Sequence, residues 1–96
     1  MIRTYVVTYD ISDPKRLRRV FQTMKGYGEH LQLSVFICQI SHKRLVRMRT
    51  ELENVIDHRA DQVLIVDLGP TDGLAKDRIL ALGLPFHLEK HHALIV

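Results

Sequence analysis

Ninety-six residues make one domain, and a domain of this size buries only about 60–65% of the surface of its unfolded chain, so a partner subunit would add useful core. Hydrophobic residues at 46% and charged residues at 26% exclude a disordered or fibrous chain, and no apolar run approaches the ~18–20 residues of a membrane span. The net charge of +3 conceals a segregation: residues 1–50 carry ten Lys and Arg against three acidic residues (+7), and residues 51–96 carry four against eight (−4).

Ile2 to Tyr9 is β-branched and aromatic and reads as a strand. It stops at Asp10-Ile11-Ser12-Asp13-Pro14, where Ser12 or Asp13 caps a helix and Pro14 suits its first turn. Leu17, Val20, Phe21 and Met24 follow as one apolar stripe at helical spacing. Gly26-Tyr27-Gly28 should end that helix through a left-handed glycine.

His30 to Ile40 is extended, as two short strands or one strand bent near Ser34. Leu31, Leu33, Val35, Ile37 and Gln39 would share one face, and Gln32, Ser34, Phe36, Cys38 and Ile40 the other. Ser41 caps a second helix to about Asp57, with Leu45, Met48, Leu52, Val55 and Ile56 as its buried stripe. Gln62 to Leu68 is the next strand, broken by Gly69-Pro70. A short helix over 72–82 and an apolar terminal strand, Ala93 to Val96, complete the chain.

The order β-α-β(β)-α-β predicts a ferredoxin-like α+β sandwich, βαββαβ, with two helices on one face of an antiparallel sheet. Residues 1–68 form its core and 69–96 a C-terminal extension within the same domain. The extension's last strand needs a sheet edge, and the edge of a second copy is the candidate, which predicts a two-fold homodimer.

Asp10 follows a strand that should be central, so its carboxylate stands at the strand's end beside the start of a helix. Mg²⁺ takes one or two carboxylates, several waters and substrate phosphate, so two Asp10 side chains facing each other across a dimer axis would share one ion. The plain alternative is that Asp10 caps the helix or shapes the turn. Lys15, Arg16, Arg18 and Arg19 on the first helix, with Lys43, Arg44, Arg47 and Arg49 on the second, suit the sequence-independent gripping of duplex phosphates. The same residues also describe two amphipathic helices with basic solvent faces.

Cys38 is alone, which excludes an internal disulfide and a four-cysteine zinc site and fits a reducing, cytoplasmic setting. Within a strand it reads as a small buried hydrophobe. The six histidines show no zinc spacing, and His91 and His92 point to opposite sides of an extended chain. The first residues have no signal-peptide pattern.

Val7-Thr8-Tyr9-Asp10-Ile11, followed by Ser12-Asp13-Pro14-Lys15-Arg16-Leu17-Arg18-Arg19, resembles the opening of the small universal CRISPR-associated endonuclease family. That family is the second core protein of CRISPR adaptation and the partner of the CRISPR integrase. Gly28-x-x-Leu31-Gln32-Leu33-Ser34-Val35-Phe36 resembles its second signature at the right distance. The likeness runs over residues 1–68, and residues 70–92 depart from the shorter family pattern.

The resemblance implies a ferredoxin-like homodimer exchanging a C-terminal strand, with a catalytic, metal-binding Asp10 sharing Mg²⁺ between subunits. It implies Mg²⁺-dependent endonuclease activity on RNA or double-stranded DNA, and a place in spacer acquisition beside the integrase. Lys15, Arg16, Arg18, Arg19, Lys43 and Arg44 would touch nucleic acid. Two other readings stand beside it: a non-catalytic homodimeric scaffold bridging integrase dimers, and a ferredoxin-like toxin ribonuclease acting alone.

Overall fold

Both alternating sets of residues in the first strand are β-branched or aromatic, so that strand can bury both faces and belongs inside a sheet. The computed structural model, which describes residues 1–85 without the side chain of Lys76, places it there. The elements are β1 (Ile2–Asp10), α1 (Pro14–Lys25), β2 (Glu29–Gln32), β3 (Val35–Ser41), α2 (His42–Val55) and β4 (Gln62–Pro70). The strands pair antiparallel in the order β2-β3-β1-β4. This is the expected ferredoxin-like α+β sandwich.

Register assigns the two faces. Tyr5, Val7 and Tyr9 lie level with Cys38, Phe36, Ile65 and Val63, and pack with Val20 and Met24 of α1 and Met48 and Leu52 of α2 into one core. Thr4, Val6, Thr8 and Asp10 occupy the opposite, helix-free face, level with Gln39, Ile37 and Val35 on β3 and with Val66, Leu64 and Gln62 on β4.

The helix starts follow the sequence: the Asp13 carboxylate accepts from Arg16 N at 2.9 Å, and Ser41 Oγ from Arg44 N at 3.3 Å. The end of α1 falls where expected, at Gly26, but in a different conformation. Gly26 is right-handed at φ −78°, and the only positive-φ residues among those described are Gly69 and Gly83. Gly28 supplies space instead: a Cβ there would lie 2.3 Å from Ile37 O and 2.6 Å from Cys38 Sγ.

Three boundaries differ from expectation. Leu33 sits in the turn between β2 and β3, almost wholly exposed, rather than on a strand face. β4 runs through Gly69 to Pro70 because the ladder shifts register opposite Thr4/Tyr5 and Gly69 adopts φ 101°. At a sheet edge the proline is tolerated. The helix expected over 72–82 is a single 3₁₀ turn, Ala75–Arg78. Leu74, Leu80, Leu82 and Leu84 are all exposed, so no buried stripe holds a longer helix. The terminal strand expected at Ala93–Val96 lies outside the described residues.

Candidate nucleic-acid and metal site

Asp10 closes β1, level with Gln62 of β4, and is exposed on the helix-free face. The roles that compete for such a residue are taken by its neighbours. Asp13 caps α1, and Asp61 holds the β1–α1 loop. Among the described residues no hydrogen bond or ion pair engages the Asp10 carboxylate. No group of three His, Cys, Asp or Glu stands together there to hold an ion within one chain. A carboxylate so placed fits a largely hydrated Mg²⁺, whose other ligands would be a second carboxylate and phosphate.

Asp61 stands at the start of β4 with its side chain wholly buried. Its Oδ1 accepts from Ser12 N at 2.9 Å, Ser12 Oγ at 3.1 Å and Arg16 Nη2 at 3.3 Å. Its Oδ2 accepts from Arg16 Nε and Asp57 N, both at 2.8 Å. Arg16 Nη2 also reaches Ser12 Oγ at 3.1 Å. The Arg16 guanidinium holds the Asp61 carboxyl well below the usual carboxylate range, helped by the Asp57 and Ser12 donors and against the cost of burial. Bonding to Asp61 in turn raises Arg16. Arg16, expected on phosphate, therefore serves first as one jaw of a clamp around the loop that follows Asp10. Nothing in the sequence marks Asp61 apart from its position before a strand.

The basic residues divide by helical phase. Val20, Met24 and Phe21 turn toward the sheet, Leu17 of the expected stripe stays 38% exposed, and Lys15, Arg18 and Arg19 are exposed. Lys43 and Arg47 are similarly exposed on α2. Arg44 points sideways: its Nη2 donates to Gly26 O at 2.8 Å and its guanidinium lies 4.7 Å from the Tyr27 ring centroid. With the hydrogen bond from Tyr27 Oη to Glu51, this braces α1 against α2. Lys15, Arg18, Arg19 and Lys43 thus share the outer helix layer, whereas Asp10 belongs to the other face of the sheet.

The motif around Asp10, the glycine that admits β3, and the βαββαβ order all fall within one stretch that matches a known family. The CRISPR associated protein Cas2 family matches residues 3–72. The chain belongs to this family. It is 47% identical over 92 residues to "CRISPR-associated endoribonuclease Cas2 1" of Rhodospirillum rubrum, covering 96% of this chain and 89% of that one. It is 40% identical over 96 residues to the Geobacter sulfurreducens "CRISPR-associated endoribonuclease Cas2", covering both completely. The crystal structure of Streptococcus pyogenes Cas2 at pH 6.5 superposes with a TM-score of 0.72 at 32% identity, covering 83% of this chain and 99% of that one.

Membership in the Cas2 family removes the basis for the stand-alone toxin reading. The family match ends at residue 72, so the residues beyond it depart from the family pattern as expected, although the Geobacter Cas2 aligns along the whole chain. Cys38, His30 and His58 have structural places. Burial pushes the Cys38 thiol up to about 12, which leaves an inert buried hydrophobe. His30 Nε2 donates to Leu33 O at 2.7 Å, and its ring packs on Phe21 and Phe36, both with centroids at 5.1 Å. His58 bonds Glu53 O. His87, His91 and His92 lie outside the described residues. No helix among the described residues is long and apolar enough to cross a membrane.

Proposed function

We propose that two copies of this chain associate through the helix-free face of the sheet and cleave nucleic-acid phosphodiester bonds with a Mg²⁺ held between their Asp10 carboxylates. The observation that carries the reading is the unengaged Asp10 carboxylate on the same face as Val66 and Leu64, which are 48% and 51% exposed on β4. Half-exposed apolar side chains beside a free carboxylate are what an association that builds a shared site would cover. The nuclease names of the Cas2 relatives support the activity.

When bound, the ion would polarise the scissile phosphate and lower the pKa of a bound water. Asp10 from each chain would hold the ion. Lys15, Arg18 and Arg19, with Lys43, neutralise phosphates of the same polymer on the outer helix layer, without reading bases. Arg16 and Arg44 support that layer by bracing the loop and the helix pair. Because the grip and the carboxylate occupy different layers, binding and cutting are separable. The substrate class is duplex DNA or RNA, in the setting of CRISPR spacer acquisition, where the exposed leucines of 74–84 suit contact with the integrase or a second copy.

The test is Mg²⁺-dependent nicking and DNA binding of wild type, Asp10→Ala and the Arg18→Ala/Arg19→Ala pair. Asp10→Ala should abolish cleavage and keep binding. The arginine pair should lower the salt slope of binding by about one per residue and leave kcat within about threefold. Equal cleavage by wild type and Asp10→Ala overturns the metal role. A second reading, the non-catalytic scaffold, draws on the single carboxylate per chain, and it predicts DNA binding with no metal-dependent cleavage by any variant.

A further inference from the structure

We propose that Asp61 is the positioning residue of the Asp10 site, an inference that rests on Asp10 being the metal ligand. β1 ends at Asp10 and the chain must turn within three residues to the Asp13 cap. Ser12 lies in that turn, and both its N–H and its hydroxyl bond to Asp61 Oδ1. On the other strand the residue level with Asp10 is Gln62, covalently next to Asp61.

One buried carboxylate therefore fixes both neighbours of Asp10, the following turn through hydrogen bonds and the facing strand through the peptide chain. Arg16 and Asp57 N complete the grip from α1 and from the α2–β4 loop. An amide in its place keeps one acceptor oxygen and turns its NH₂ toward either the Ser12 donors or the Arg16 Nε and Asp57 N donors, so one side of the clamp is lost and the end of β1 frays. An ion held by one carboxylate from each of two chains has little tolerance for such movement, since groups misplaced by about 1 Å lose about a hundredfold in such sites. Asp61 touches neither ion nor substrate in this arrangement and acts only through the placement of Asp10.

The experiment is a Mn²⁺ titration of the full chain by electron paramagnetic resonance, which reads metal affinity without turnover, alongside the metal dependence of cleavage. Asp61→Asn should weaken Mn²⁺ binding by about tenfold or more and raise the half-saturating metal for cleavage in proportion, with kcat largely restored at saturating metal. Ser12→Ala, which removes one of the clamp's donors and leaves the backbone bond, should show a smaller shift in the same direction. If Asp61→Asn folds and binds Mn²⁺ like wild type, the inference fails while the Asp10 reading stands. If wild type and Asp10→Ala bind Mn²⁺ alike, the Asp10 reading fails and takes the inference with it. Should circular dichroism show Asp61→Asn unfolded, Ser12→Ala decides, and an unshifted Mn²⁺ affinity in that variant overturns the proposal.

Discussion

A carboxylate that accepts five hydrogen bonds stays ionised at acidity that protonates an ordinary one. Asp61 is such a group, and its pKa is depressed on folding. The unfolded chain takes up a proton near pH 4 and the folded chain does not. The stability this group contributes is thus fully present above about pH 4 and is lost as pH falls below it toward the depressed folded value. Asp67, held low by Arg3 and Gly69 N, has the same sign. Urea midpoints measured from pH 7 down to about pH 2.5 should fall steeply below pH 4 in wild type and more gently in Asp61→Asn. Equal slopes would remove the clamp from the acid response. Asp10 was legible in the sequence because a strand, a carboxylate and a capped helix follow one another directly. Asp61 was not, because its meaning lies 49 residues away, on Ser12.

At the level of elements, glycines show what spacing alone does not reveal. Both glycines after α1 read as helix stops, yet Gly26 is an ordinary right-handed cap and Gly28 is where β2 enters against β3. Gly28→Ala should therefore cost about 2 kcal/mol or more through overpacking, whereas Gly26→Ala should stay within about 1 kcal/mol of wild type. Chemical denaturation of both variants checks this, and similar losses would refute the close-approach argument. The two long helices were readable because each combines a cap with an apolar stripe that the sheet buries. The stretch after Pro70 misled because its leucines mimic a stripe while none of Leu74, Leu80, Leu82 and Leu84 is buried. With Ala75 alone buried among the described residues of 72–82, the chain makes one 3₁₀ turn.

For the whole molecule, the helices cover one side of the sheet and the other side carries both Asp10 and half-exposed apolar side chains. The run Gln62-Val63-Leu64-Ile65-Val66 carries apolar residues at both alternating positions, which suits a strand covered on both sides. If that side joins two copies, Leu64→Glu with Val66→Glu should give single protomers by light scattering and lose Mg²⁺-dependent cleavage. Thermal stability of the protomer should hardly change, since both side chains are half exposed in the single chain. A stable dimer of the double variant would move the association elsewhere. Cys38, finally, gives the molecule an internal gauge. Its sulfur is sealed beneath Gly28 and protonated at any physiological acidity, so an alkylating reagent meets it only when the sandwich parts. Labelling kinetics at this one atom thus count the openings of the core, and any ligand that locks the layers together would slow that count.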